Sequence, residues 1–391
     1  MKRTGILLAA TALSLSVFAG CSAKPVTAAP EGGATGDTIK IGLNYELSGD
    51  VASYGQASVA GIELAAKEIN DAGGINGKKI ELVKYDTKSD TAEATTLATK
   101  LMSQDKVLTV IGPATSGGMK AQVQVAEKNQ VPIVSGSSTA DDLTVTNGKL
   151  NAYVFRTCFN DSFQGTSAAN YSSNKLGAKS AIIIKDNSND YSKGLAASFT
   201  TQFTANGGTI VGEEAYAKGE RNFNSILTKI KGQSFDVIYL PGYYEEAGPA
   251  IKQARELGIT APILGADGYD SPKLAEAAGA GLTDVYFTNH YSSADSDPKV
   301  VKFIEDFKAA NSGTEPNAFN ALGYDTMKFV ADAIGRASEL TGPAVKDAME
   351  ATKDFAGVTG TFSVDPATHN PVKSIVFIGY KDGKIAVTEK A

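Results

Sequence analysis

The residues best placed to do chemistry lie between Val107 and Thr139, in VLTVIGPATSGGMKAQVQVAEKNQVPIVSGSST. Ser116, Gly117 and Gly118 stand where an apolar run gives way to a helix, and a second apolar run ends in Ser135-Gly136-Ser137-Ser138-Thr139. Unpaired N–H groups and the positive end of a helix dipole suit a small anion, such as a carboxylate or a phosphate. Ser116 alone would read simply as an N-cap. The hydroxyl-rich loop beside it keeps a binding site open as the alternative.

Two strands joined by a crossover helix must position these groups. That βαβ unit collects ligands on the loops at the carboxyl ends of its strands. The pattern extends in both directions. Ile39 to Leu43 alternates as a strand, and Tyr54 to Ile69 carries Val59, Ile62, Leu64, Ala65 and Ile69 at helical spacing up to Gly73-Gly74. Lys79 to Tyr85 reads as strand, Thr91 to Gln104 as helix, and Tyr153 to Arg156 as a short extended segment. Past Asn160 the alternation starts afresh, with strands at Ser180–Lys185, Thr209–Tyr216, Phe235–Leu240, Pro262–Leu264 and Val285–Thr288 and helices between them.

Strands alternating with helices over this length mean parallel sheets covered on both faces. The expected fold class is α/β, two doubly wound parallel-sheet lobes joined by a multi-crossing hinge. Lobe 1 is expected over 38–159 plus 289–377, and lobe 2 over 160–288 plus 378–391. The long helices Asp297–Ala310 and Asn317–Ser338 and the shorter Pro343–Met349 have to pack on something already made, and the first lobe is where they belong. Crossings are expected near Arg156 to Asn160, Thr288 to Tyr291 and Phe377 to Tyr380.

Composition excludes several classes of function. A formal charge of −6 over 391 residues carries no basic signature for nucleic acid. There is no Gly-x-Ser-x-Gly elbow and no Gly-x-x-x-x-Gly-Lys-Ser/Thr phosphate loop. Gly279-Ala280-Gly281 lacks the third glycine of a dinucleotide turn. The two histidines, His290 and His369, lie far apart without companions at ligand spacing, so neither a metal nor a cofactor is expected. His369, inside the turn-like Pro366 to Pro371, reads as solvated. Adjacent acids such as Glu245-Glu246 or Asp141-Asp142 read as helix N-terminal charges rather than catalytic dyads.

The first residues read as an export signal outside the fold. Lys2-Arg3 precedes an apolar stretch from Ile6 to Phe18 and small residues before Cys21. Val17-Phe18-Ala19-Gly20-Cys21 resembles a bacterial lipoprotein box, which implies a signal peptide over 1–20, lipidation of Cys21 and anchoring at the outer face of the cytoplasmic membrane. Ser22 to Asp37 then reads as a flexible tether, so 21–37 is the lipidated Cys and its linker. Cys158 would remain alone, most simply as a small buried hydrophobe.

Five stretches in order resemble the leucine/isoleucine/valine-binding family of bacterial solute receptors, which has the type I periplasmic-binding-protein fold. They are Ile39-Lys40-Ile41-Gly42 with Leu47-Ser48-Gly49 and Tyr54-Gly55; Glu68 to Gly77; Val110-Ile111-Gly112-Pro113 with Ser116; Phe155-Arg156-Thr157; and Asp190 to Gly194. The resemblance implies an extracytoplasmic receptor of an ABC importer, not an enzyme, that holds a free amino acid between its lobes and works as a monomer with a permease. By motif, Ser116 and Thr139 would hold the ligand carboxylate, aided by N–H groups near Gly117. The Ser137 carbonyl would accept from the ammonium, and Tyr243 and Asp267 would complete that subsite. Tyr54 and Tyr191 would wall the pocket. Asp267 departs from the Glu usual at its position, which leaves the preferred side chain open. A small amide or urea as ligand, or an amino-acid sensor using the same pocket, are the alternatives.

Overall fold

The computed structural model describes residues 34–390. The signal peptide, Cys21 and the start of the tether lie outside them. Of the residues assigned to the tether, Ala34 and Thr35 pair antiparallel with Ile39 and Thr38, so its last part turns back on the first strand of the fold.

The first lobe is built on β1 (Thr38–Tyr45), β2 (Lys79–Asp86), β3 (Thr109–Ile111), β4 (Ile133–Ser135) and β5 (Val154–Arg156). They run parallel in the order β2-β1-β3-β4-β5. Helices α1 (Ala52–Asp71), α2 (Thr91–Ser103) and α3 (Ser116–Asn129) make the crossovers. Central β1 turns Ile39, Ile41 and Leu43 to one face and Lys40, Gly42 and Asn44 to the other. Ile39, Ile41 and Leu43 are fully buried, each contributing roughly 1.5–3 kcal/mol relative to exposure.

After β5 the chain passes into the second lobe through residues 157–160 and starts α4 (Asp161–Asn174), capped by Asn160 Oδ1 accepting from Phe163 N–H. There follow β6 (Ser180–Asp186), α5 (Asp190–Ala205), β7 (Thr209–Tyr216), α6 (Asn224–Lys231), β8 (Val237–Tyr239), α7 (Tyr244–Glu256), β9 (Ile263–Gly265), α8 (Pro272–Ala278) and β10 (Val285–Asn289). From β10 the chain returns to the first lobe with α9 (Pro298–Ala310), α10 (Ala318–Arg336) and α11 (Gly342–Glu350). Helix α10 packs on α1 so closely that a Cβ on Gly61 would lie 1.9 Å from the Asn320 carbonyl oxygen, and one on Gly323 2.1 Å from that of Ser58.

Two details correct the expected architecture. The second sheet, ordered β7-β6-β8-β9-β10-β11-β12, is parallel only as far as β10; β11 (Val376–Lys381) and β12 (Lys384–Lys390) are antiparallel. The chain re-enters that lobe alongside the end of β10 and can pair only by running back against it. For the same reason Phe377 to Tyr380 are not a crossing: they are ladder residues of β11, and the third passage lies just before Val376. His369 is not solvated either. It is fully buried, stacks on Phe155 at 4.0 Å and hydrogen-bonds the Val154 carbonyl and Glu350 Oε1, both at 2.9 Å.

Among the described residues no helix is long and apolar enough to cross a membrane.

Candidate functional site

The lobes meet with the carboxyl ends of their parallel strands facing each other. Tyr54 follows β1, Ser116 follows β3 and Ser137 follows β4 in one lobe. Tyr191 follows β6, Tyr243 follows β8 and Asp267 follows β9 in the other. These six side chains, with Ala114, Thr115, Gly268 and Phe319, wall one narrow cavity of about 10 Å3, scarcely room for one water.

On the first lobe, the loop after β3 begins at Gly112, whose positive φ of 98° and approach to Asn44 leave no room for a side chain. Buried Glu46 then fixes the turn, accepting from Ala114 N–H at 2.9 Å, Thr115 N–H at 3.1 Å and Thr115 Oγ1 at 2.6 Å. The first helical bond of α3 is Met119 N–H to Thr115 O, so the N–H groups of Ser116, Gly117 and Gly118 precede the helical ladder, as at any helix start. Ser116 Oγ accepts from Ala140 N–H at 3.1 Å and keeps its own hydrogen to donate.

The hydroxyls of the next loop do mostly structural work. Ser135 Oγ donates to the Pro113 carbonyl at 2.7 Å, and Ser137 Oγ donates to the Ala114 carbonyl at 2.9 Å. They stitch the two loops together. Gly117 and Thr139 are not part of the cavity wall: a Cβ on Gly117 would face Thr91, and the Thr139 side chain is buried beside the Asp161 carboxyl.

On the second lobe, Asn189 caps α5 through Ser192 N–H at 2.7 Å and so sets Tyr191 in the first turn. Tyr191 donates its phenol hydrogen to Asp267 Oδ1 at 2.6 Å and accepts from Gly268 N–H at 3.0 Å. His290 Nε2 lies 3.0 Å from Asp267 Oδ2. Burial holds the His290 pKa below its ordinary value, so the neutral ring donates from Nε2. Gln164 Oε1 accepts from Asp267 N–H at 2.9 Å, which fixes the backbone of the acid as well.

The walls between are aromatic. Tyr191 and Tyr243 stack at 5.2 Å, and Tyr54 stacks on Phe319 at 4.3 Å. The cavity therefore offers a helix N-terminus with a hydroxyl on one side, a buried carboxylate on the other, and apolar ring faces in between.

A family model described as periplasmic binding protein matches residues 38–384. The chain belongs to the periplasmic binding proteins. A structure of this family, the branched-chain amino acid transporter substrate binding protein of Streptococcus pneumoniae in complex with isoleucine, is 43% identical, with a TM-score of 0.85 over 90% of this chain and 99% of that one. A leucine binding protein from Thermotoga maritima is 34% identical, with a TM-score of 0.84 over 90% and 98%. A Leu/Ile/Val-binding protein of Rhizobium johnstonii is 31% identical over 90% of this chain and 94% of its own length. The fold is the type I periplasmic-binding-protein fold.

Three contributors to this periplasmic binding protein's cavity were not legible beforehand. Phe319 comes from the start of α10, Glu46 from the loop after β1, and His290 from the second lobe crossing. The sequence offers His290 only as a candidate metal ligand, and no local pattern ties it to Asp267, 23 residues earlier.

Proposed function

We propose that this protein is the extracytoplasmic receptor of an ABC importer and captures a free amino acid, branched-chain or otherwise aliphatic, between two closing lobes. The observation that carries the reading is the opposed pair of subsites: the α3 N-terminus with Ser116 on one lobe, Asp267 held by Tyr191 and His290 on the other. A zwitterion leaving water needs both charges paired, since an unpaired buried charge costs several kcal/mol. Tyr54, Tyr243 and Phe319 supply ring faces for aliphatic carbons. Relatives named for leucine, isoleucine and valine support the same ligand class.

In this reading Ser116 and the N–H groups through Gly117 hold the carboxylate. The Ser137 carbonyl and Asp267 take the ammonium. No reaction is catalysed. The protein works as a monomer, tethered through lipid on Cys21 to the outer face of the cytoplasmic membrane, and ligand binding selects the closed lobes that a permease engages.

Calorimetry of the mature protein against the common amino acids, acetamide and urea tests this. Tight binding of leucine, isoleucine or valine is expected. Binding of an amide with no response to any amino acid would overturn it.

A further inference from the structure

The first and third passages between the lobes are both short. Thr157 still belongs to the first lobe, its N–H donating to the Ser135 carbonyl at 3.0 Å and its hydroxyl lying 2.7 Å from that of Thr326 in α10. Phe159, two residues on, already packs in the apolar core of the second lobe with Phe199 and Phe377. The third passage repeats the arrangement. Ile375 joins that same core, while Lys373, two residues before it, is buried with its ammonium directed into the first lobe.

Lys373 meets both passages at the point where they leave the first lobe. Its Nζ donates to the Thr157 carbonyl at 3.0 Å, 216 residues away in sequence, and to Thr359 Oγ1 at 2.5 Å. The Thr359 hydroxyl donates on to Asp325 Oδ2 at 2.5 Å, and the Asp325 carboxylate also accepts from the N–H groups of Val358 and Thr359, both at 2.8 Å. The Phe362 ring lies 5.3 Å from Nζ and faces the third donor of the ammonium. The chain of contacts therefore runs from α10 through a tight turn to one hinge strand, and from there to the other.

Packing does not account for a lysine at this place. Taking an ammonium out of water is costly, and burial pushes the Lys373 pKa down against the pull of Asp325. A methionine would fill the same space without that cost. Asp325 has its backbone donors without the lysine. What only the ammonium supplies is a hold on the Thr157 carbonyl from the opposite hinge strand.

We propose that Lys373 is the pin of the hinge, a positioning residue that ties the first and third passages to one point on the first lobe, so that the second lobe turns about residues 158 and 374 and arrives over the ligand in a single register. The proposal rests on the reading that two lobes close on a ligand, and goes beyond it by naming the group that sets the axis. Without the pin each strand swings separately. The ligand-free protein then spreads over more open arrangements, and the fraction ready to bind falls.

The test compares wild type, Lys373→Met and Gly61→Ala by hydrogen exchange and small-angle scattering without ligand, and by calorimetry with leucine. Gly61→Ala strains the α1–α10 contact and touches neither passage, so it reports what loss of stability alone does. Lys373→Met is expected to speed amide exchange over 157–160 by about tenfold or more, the loss of one hydrogen bond from a charged donor. It should also enlarge the ligand-free radius and weaken leucine binding by about threefold or more. Gly61→Ala should do none of these. Thr359→Val, which cuts the pin from Asp325, should show the Lys373→Met pattern in smaller measure, and carries the comparison if Lys373→Met does not fold. Exchange over 157–160, radius and leucine affinity all as in wild type, or changed only as in Gly61→Ala, overturn the proposal and leave the receptor reading standing. A wild-type protein that binds no amino acid overturns the receptor reading, and exchange and scattering then still decide the pin.

Discussion

The phenol of Tyr54, at the start of α1 in the first lobe, donates to the carbonyl of Gly268 in the second at 2.5 Å, and its oxygen accepts from Tyr244 N–H at 3.3 Å. One pocket wall is thus also a clasp between lobes. It acts beside Ser53–Ser271 at 2.7 Å, Lys120–Asp190 at 2.7 Å and the Asp270 carboxylate that accepts from Ala318 N–H at 2.8 Å. Tyr54→Phe keeps the ring on Phe319 and removes only the hydroxyl. Net loss of about 1 kcal/mol from closure corresponds to roughly fivefold weaker ligand binding. Calorimetry should find that loss, and small-angle scattering should find a larger ligand-free radius. An unchanged affinity would mean that closure does not depend on this bond.

Asp267 is the one acid in the cavity wall of the second lobe. Asp267→Asn keeps its volume and removes the charge, so amino-acid affinity should fall by about tenfold or more. Tyr191→Phe, which frees Oδ1 but keeps the charge, should cost less. If Asp267→Asn binds as wild type does, the residue is only the turn former that Asp-Gly suggests.

The fold was readable because α/β alternation is periodic and local. The strand expected at Thr209–Tyr216 is found with those limits, and the late helices do lie on the first lobe. The direction of β11 was not readable, because it is set by where the chain re-enters the lobe. Pro366 to Pro371 has the composition of an exposed turn, yet His369 is packed on Phe155, more than 200 residues away in sequence. The site divides in the same way. Residues just after strand ends are legible from their loops, whereas Phe319 reaches the cavity from the start of α10 and His290 reaches Asp267 from a lobe crossing.

Gly61 tests the packing of α10 on α1 within the first lobe. Alanine in a helix interior is favoured over glycine by about 1 kcal/mol, but here the added Cβ would meet the Asn320 carbonyl at 1.9 Å, and backbone cannot move aside. The α1–α10 contact must open, at about 1–3 kcal/mol. Gly61→Ala should therefore lower the thermal midpoint by several degrees with little change in ligand affinity. A raised midpoint would show that propensity outweighs the clash.

His290 should leave a mark on the pH dependence of stability. Its ordinary pKa is about 6.5, and burial holds it lower in the folded protein, where it donates to Asp267. Between the two values the unfolded chain takes up a proton that the folded protein does not, so stability falls as pH drops below about 6.5 and levels off once the folded ring also protonates. Buried Asp161 and Asp325, both raised by desolvation, act with the opposite sign. They keep protons that the unfolded chain loses above about pH 4, so their share of stability declines as pH rises. The His290 contribution must therefore be read as a difference between two proteins. His290→Gln retains an N–H donor for Asp267 without a titrating ring. Urea unfolding of both from about pH 8 to pH 5 should give curves a constant distance apart above about pH 7, with wild type losing stability relative to the variant below it. Curves that stay parallel throughout would show that His290 takes up its proton as readily in the folded protein as in the unfolded chain, and that Asp267 is not held by a neutral ring.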